Sequence, residues 1–382
     1  MGVFVSRSGS WLKVATLRPT PRTVGAQDYL RYMVEVGGSD LHIRAGSAPF
    51  VRVDGELEPC PFPALTSSDT EALAVELLPI HKASEFAETH EADVGYSMPG
   101  VGRFRVNAFR QRSMVSLAIR RVRAEIPSFE ELRMPPVVRS LAEAPRGLVL
   151  VTGPAGTGKT TTIAAMIGYI NATRRAHIVT IEDPIEIVHE DRLSIVDQRE
   201  IGVDTASFAG AMRYVVRQDP DVIFIGEIRD GEAASAALSA AETGHLVIST
   251  LHTLDATETV NRMVDLLPSN EQRQARYSLA ATLRGTISQR LVIRGDGKGR
   301  VPAVEVLVNT GRVHDRIIDP SGTASITEVI AEGEFYGMQT FDQALVKLVR
   351  EGLVTEEDAR GASTNPHDFS LMLRGVELRA SS

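Results

Sequence analysis

The sequence predicts an α/β protein, in which a large C-terminal domain is built on a mostly parallel sheet with helices on both faces and is preceded by a small α+β domain. Two features carry that expectation. Beyond residue 136, apolar runs of strand length alternate with helical patterns, as repeated strand and crossover units require. Before residue 122 the runs have period two instead, and Asp54-Gly55 stands between VRV and ELE as a two-residue hairpin signal.

In chain order, residues 1–26 form a tail with Arg7, Lys13, Arg18 and Arg22 and no acidic residue. Met1-Gly2-Val3-Phe4-Val5-Ser6 formally fits a myristoylation pattern, and Trp11 with the basic residues offers contact with an anionic membrane; the plainer reading is a mobile tail. Residues 27–122 read as the small domain: a helix over QDYLRYMVEV stopped by Gly37-Gly38, a strand at SDLHIR, the hairpin, a helix over residues 69–88, and strands over 103–110 and 114–122. In the first of these last two strands Arg103, Arg105 and Asn107 share one face while Phe104, Val106 and Ala108 share the other. Arg110, Arg112, Arg120, Arg121 and Arg123 extend the cationic cluster, which is either a solvated sheet face or a set of cations for phosphate oxygens. Pro127, Pro135 and Pro136 make residues 123–136 a linker. Residues 137–361 hold the parallel-sheet domain and C-terminal helices, with a hairpin over 291–308, and residues 362–382 carry little apolar periodicity and read as a loosely held tail.

Composition narrows the function. The 382 residues suffice for two domains and 43% of them are apolar, enough for real cores. A net charge of −8 argues against a surface built for nucleic acid. The single cysteine, Cys60, excludes an intrachain disulfide and a multi-cysteine zinc cluster. No apolar run reaches the roughly 18 to 20 residues of a transmembrane helix, and the start lacks a signal-peptide core, which points to the cytoplasm.

The chemistry centres on Gly153-Pro154-Ala155-Gly156-Thr157-Gly158-Lys159-Thr160, which matches G-x-x-x-x-G-K-[ST] at every fixed position. A buried strand, GLVLVT, enters this loop and a helix over residues 160–170 leaves it. The glycines let backbone N–H groups turn inward toward a phosphate chain at the positive end of that helix. Lys159 adds a point charge for the outer phosphates, Thr160 offers a hydroxyl to Mg²⁺, and Thr161 lies one residue deeper in the helix start.

Further chemistry falls at the ends of the later strands, where ligands of open α/β sheets bind. HIVTIED ends in Glu182 and Asp183, with Glu186 just beyond Pro184; VIFI is followed by Gly226 and Glu227; and ISTLH ends in His252. Hydrolysis of a phosphoanhydride needs a positioned water, a proton acceptor, a metal and cations, and each has a candidate in this set. The plain alternatives are helix-capping carboxylates for Glu186 and Glu227 and a satisfied structural histidine for His245 or His252, where His252 has the additional option of sensing the γ-phosphate.

SDLHIRAGSAPFVRVDGEL, VGRFRVNAF, PRGLVLVTGPAGTGKTTT, HIVTIEDPIEIVHE, VVRQDPDVIFIGEIRD, AAETGHLVISTLHT and GMQTFD occur in this order, and through them the chain resembles the PilT family of type IV pilus retraction ATPases within the secretion ATPases, over roughly residues 27–358. The resemblance implies a PAS-like N-terminal domain, a RecA-like P-loop ATPase domain, and a homohexamer. In such a ring, ATP-driven motions act on an inner-membrane platform protein to withdraw a pilus at the cytoplasmic face. It implies that Lys159 and Thr160 bind phosphate and Mg²⁺ and that Glu186 is the general base, with Glu182 left open as the alternative. It further implies that Glu227 acts through the metal, that His245 and His252 form a histidine box, and that Arg103, Arg105 and Arg120 serve the phosphates.

The likeness lapses at Arg312-Val313-His314-Asp315-Arg316-Ile317, where the family's retraction motif keeps only scattered apolar character, so the direction of work stays open. An assembly or type II secretion ATPase is the rival that the missing zinc module disfavours. An accessory subunit acting with a second pilus ATPase remains, as does an ATP-binding regulator with little turnover, which Lys159, Glu186 and Glu227 count against. A DNA-translocating motor is disfavoured by the acidic balance.

Overall fold

The computed structural model describes residues 24–53, 55–122 and 126–375. The tail before residue 24, with its acylation pattern and Trp11, and Asp54 of the hairpin turn lie outside the described residues. The chain divides into two compact units, one ending at Arg121 and the other beginning at Val122.

The first unit is a six-stranded antiparallel sheet of β1 (Asp40–Arg44), β2 (Phe50–Val53), β3 (Glu56–Pro59), β4 (Glu91–Met98), β5 (Gly102–Gln111) and β6 (Met114–Arg121), in the order β3-β2-β1-β6-β5-β4. Its alternation is the cause of its core: Phe104, Val106 and Ala108 of β5 are fully buried with Leu117, Ile119 and Leu41, while Arg105 and Asn107 face out. The helix expected over residues 69–88 is two helices, Ser67–Leu77 and Ile80–Thr89. Pro79 breaks it, because a proline has no N–H to donate and holds Leu78 before it in extended backbone. Strand β4, unforeseen from its mixed sequence EADVGYSM, pairs along its whole length with Gly102 to Phe109 of β5.

The second unit is a seven-stranded sheet of β7 (Gly147–Thr152), β8 (His177–Glu182), β9 (Ile195–Glu200), β10 (Val222–Ile225), β11 (Leu246–Leu251), β12 (Leu283–Ile293) and β13 (Arg300–Val308), ordered β13-β12-β7-β11-β10-β8-β9. All neighbours run parallel except β13 on β12. Strands β7, β10 and β11 are buried at every position, as strands covered on both faces must be, and two apolar clusters lie on the two sides of the sheet. The hairpin expected over residues 291–308 is longer at its start. Strand β12 begins at Leu283 and joins β7 in parallel, although its buried Thr286, Ser288 and Gln289 look polar in sequence. Strand β9 was also unforeseen; as an edge strand with the sequence IVDQRE it has one exposed side and little apolar signal.

The residues read as a linker are packed from 126 onward. Phe129 is buried against the helix Lys159–Thr173, and Ile126 lies over Gly168. The expectation of a loosely held end beyond residue 361 is corrected for residues 362–375. They carry the helix Pro366–Leu373, whose Phe369 is completely buried among Phe341, Leu345, Val292 and Val301. One aromatic per turn gives little periodic signal but a large buried area. No helix among the described residues is long and apolar enough to cross a membrane.

Candidate nucleotide site

Parallel pairing sets the site. Thr152 pairs with Leu251, and Ile225 pairs with both Ser249 and Ile181, so the ends of β7, β11, β10 and β8 emerge side by side on one edge of the sheet. The phosphate loop, His252, Glu227 and the Glu182 to Glu186 segment therefore converge from four strands.

The loop is shaped by backbone that only glycine adopts readily. Gly153 has φ +139°, and a Cβ there would lie 2.6 Å from Gln289 O of β12 and 2.7 Å from Thr157 Oγ1. Gly158, at φ +91°, opens the helix Lys159–Thr173 with no side-chain cap, so that first-turn N–H groups at Lys159, Thr160 and Thr161 are not taken by a capping side chain. Strand β12 braces the loop from beneath. Thr152 Oγ1 donates to Ser288 Oγ at 3.0 Å, and Gln289 Nε2 donates to Thr162 Oγ1 at 2.9 Å.

Lys159 is buried, and its Nζ donates to Gly153 O at 2.7 Å and Pro154 O at 2.9 Å, with His252 Nδ1 at 3.5 Å. Burial pushes its ammonium below the ordinary lysine range, while the charges of Glu227 and Glu186 act in the opposite sense. The far ring nitrogen of His252, Nε2, is 3.2 Å from Glu227 Oε2. The other oxygen of Glu227 pairs with Arg229, which also lies 3.7 Å from Asp183 Oδ2. The result is a chain of alternating charge and imidazole from the loop lysine to the end of β8. Its backbone is fixed as well: Thr250 Oγ1 donates to Gly226 O at 2.6 Å, Gly226 N donates to Ile181 O at 2.8 Å and Ile228 N to Thr250 O at 3.1 Å.

The two acids left open by sequence differ in environment. Glu182 is buried, accepts from Thr180 Oγ1 at 2.6 Å and Gln198 Nε2 at 3.0 Å as well as from the Glu186 backbone, and has its pKa raised by burial. Glu186 is exposed and its charge is felt by Lys159. A glycine loop with positive φ at Gly153, Gly156 and Gly158, an uncapped helix start, one buried ammonium, and carboxylates and a hydroxyl on one side fit a nucleotide phosphate chain with Mg²⁺.

Residues 100–365 match the family of type II/IV secretion system proteins. The type IV pilus retraction ATPase PilT of Pseudomonas aeruginosa is 42% identical over 342 residues, which are 90% of this chain and 99% of that protein. The type IV pilus ATPase PilU of the same organism is 41% identical over 345 residues, 90% of each. A crystal structure of the pilus retraction motor PilT with bound ADP superposes with a TM-score of 0.82 at 45% identity, covering 90% of this chain and 98% of that one. The chain belongs to the PilT family of secretion ATPases. Its fold is the PilT-like one, with a small N-terminal domain followed by the ATPase domain.

Within this PilT-family chain the remaining expected residues make local contacts of their own. His245 precedes β11 beside Gly147, so the length of the strand, roughly 20 Å, separates it from the phosphate loop of its own chain. There its Nδ1 is 2.9 Å from Ala240 O and 3.2 Å from Thr243 Oγ1, the bonds of a histidine that fastens a helix end. Arg103, Arg105 and Arg120 lie in the first unit. Arg103 donates to Ser97 Oγ at 2.9 Å, Arg105 pairs with Asp93, and Arg120 Nε pairs with Asp40 Oδ1 at 2.8 Å. Asp183, already named at the end of HIVTIED, gains a partner in Arg229; Arg229 and Gln198 were missed. Arg229 had a signal, a cation two residues after the strand-end acid; Gln198 had none, because its strand was unrecognised.

Proposed function

We propose that this chain is a motor subunit that couples hydrolysis of Mg-ATP to work on a type IV pilus, most simply retraction. It would act as a homohexamer docked on a platform protein at the cytoplasmic face of the inner membrane. The observation that supports this best is the continuous contact from Lys159 through His252 to Glu227, with Glu186 close enough to act on the same lysine. A site built only to bind nucleotide has no need of a strand-end acid and an exposed carboxylate beside the outer phosphates.

In this reading the first-turn N–H groups and Lys159 hold the phosphate chain. Thr160 and Glu227 would hold Mg²⁺, which supplies positive charge to the phosphate oxygens. Glu186 accepts a proton from water as the water oxygen bonds the γ-phosphorus and the bond to the bridging oxygen of ADP breaks. Lys159 meets the charge that develops on the departing side. His252 bridges lysine and acid, so occupation of the phosphate site is felt at Glu227 and, through Arg229, at Asp183.

Near-equal identity to PilT and PilU favours one second reading, an accessory subunit that works with another pilus ATPase. The segment where the retraction motif lapses is the helix Gly311–Ile318, whose Val313 and Ile317 are buried and whose Arg312 pairs with Glu332 at 2.8 Å. The departures therefore fall on its outward residues. The test is steady-state ATPase activity of wild type and Glu186→Gln, each with its mass measured by light scattering in ATP. We expect a hydrolysing hexamer whose kcat falls roughly 10² to 10⁴-fold in the variant while ATP affinity and mass persist. Normal turnover by Glu186→Gln removes the base, and a wild-type monomer without turnover favours the accessory or regulatory reading.

A further inference from the structure

The segment from Pro184 to Glu190 carries Glu186 between β8 and β9, and the buried Glu182 and Glu200 with the half-buried Gln198 hold its backbone at residues 185, 186, 187 and 189. Ile185 N donates to Glu200 Oε2 at 3.1 Å. The Glu186 N–H donates to Glu182. Gln198 Nε2 donates to Ile187 O at 2.9 Å, and Gln198 Oε1 accepts from His189 N at 2.8 Å. The same Gln198 amide also donates to Glu182 Oε1 at 3.0 Å, which Thr180 Oγ1 reaches at 2.6 Å. Glu182 and Glu200 are 7% and 3% exposed.

This arrangement works as a strand pairing in which side chains replace one backbone. It fixes which way each residue of the segment points. Ile185 and His189 are buried, whereas Glu186 and Val188 between them, and Glu190 after them, are exposed. Alternation of that kind places the Glu186 carboxylate outward, where Lys159 feels it. Glu182, meanwhile, is occupied on three counts and, at 7% exposure, presents little face to water.

We propose that Glu182, Gln198 and Glu200 form a cradle that positions Glu186 for proton abstraction, with the Gln198 carboxamide as its clamp. Gln198 is central because its carboxamide joins the buried acid of β8 to two points on the segment, Ile187 O and His189 N. The proposal rests on the reading of Glu186 as the base. It makes Glu182 a positioning residue and ranks the two acids that sequence leaves open.

The test is Gln198→Leu, which keeps the approximate size of the side chain and removes all three of its hydrogen bonds, compared with Gln198→Glu, which keeps an acceptor for His189 N and loses the two donations. Each is made in wild type and in Glu186→Gln, with kcat, the ATP dissociation constant and amide exchange of residues 185–189 as readouts. Misplacing a reacting group by about an ångström costs on the order of 10² in rate. Gln198→Leu is expected to lower kcat by about 10- to 100-fold, to leave ATP affinity within about twofold, and to speed exchange at residues 185 and 189, with Gln198→Glu between it and wild type. In the Glu186→Gln background neither change is expected to lower the residual rate further, because a clamp acts only through the base it holds.

Faster exchange with wild-type kcat would overturn the proposal, as would a loss in the Glu186→Gln background as large as in wild type, which marks a merely structural role. Should Gln198→Leu fail to melt cooperatively, Gln198→Glu decides by the same criteria. Failure of the underlying reading is separate: it is normal turnover by Glu186→Gln alone, whatever Gln198 does.

Discussion

Glu305 gives a sharp test of the energetics beneath the site. It lies on β13, is 4% exposed, and accepts from Ala256 N at 2.9 Å, at the first residue of the helix that follows the His252 segment. Burial pushes its carboxyl from 4.5 up to about 7, with Asp255 and Asp342 acting in the same sense and Arg290 against them. In the folded protein the group therefore holds a proton that the unfolded chain has released across the whole interval from about 4.5 to about 7. A folded pKa raised in this way means stability is highest below the interval, falls as pH rises through it, and is constant above it. At about 1.4 kcal/mol for each pH unit, the fall is on the order of 3 kcal/mol.

Glu305→Gln removes the ionisation and keeps an oxygen for Ala256 N. The variant should match wild type within about 1 kcal/mol at pH 5 and exceed it by about 1 to 3 kcal/mol at pH 8. Thermal melts at the two pH values read this out, at roughly 2 to 4 °C for each kcal/mol in a domain of this size. Parallel melts, with the same difference at pH 5 and pH 8, would refute the account of Glu305 as a carboxyl whose ionisation the fold resists.

Gly153→Ala should abolish ATP binding while the sheet still melts cooperatively, since a Cβ 2.6 Å from Gln289 O must push the loop off β12; retained affinity in equilibrium titration contradicts the cradle geometry. Phe369→Ala should cost about 3 to 5 kcal/mol, because the ring is completely buried, and should expose residues 355–375 to limited proteolysis. Protection equal to wild type would restore the loosely held end that the sequence suggests. Arg105→Ala tests the phosphate role implied by family likeness: slower turnover in the assembled ring supports it, and an unchanged rate returns Arg105 to a surface pair with Asp93 worth at most about 1 kcal/mol.

Much of this protein was determined by local sequence. The phosphate loop is contiguous, its glycines and lysine are spaced by the geometry of one turn, and the flanking strand and helix announce themselves by apolar run and period. The alternation of Arg105 with Phe104 and Val106 likewise follows from the two-residue repeat of a strand. Pairing between distant strands was decided only in the tertiary structure. His245 and His252 stand seven residues apart and sequence favours His252 only by its place at a strand end; the parallel strand β11 puts one at each of its ends, so of the two His252 meets Lys159. Glu182 and Glu186 are near neighbours of the same charge, and burial together with donors from Thr180 and Gln198 separates their roles. Polar strands such as β9 and the first half of β12 were illegible because their partners, and not their own hydrophobicity, hold them in place. Sequence fixes chemistry within a turn or two of the backbone, and the acids and histidine that complete the site are selected by which strand ends the sheet brings together.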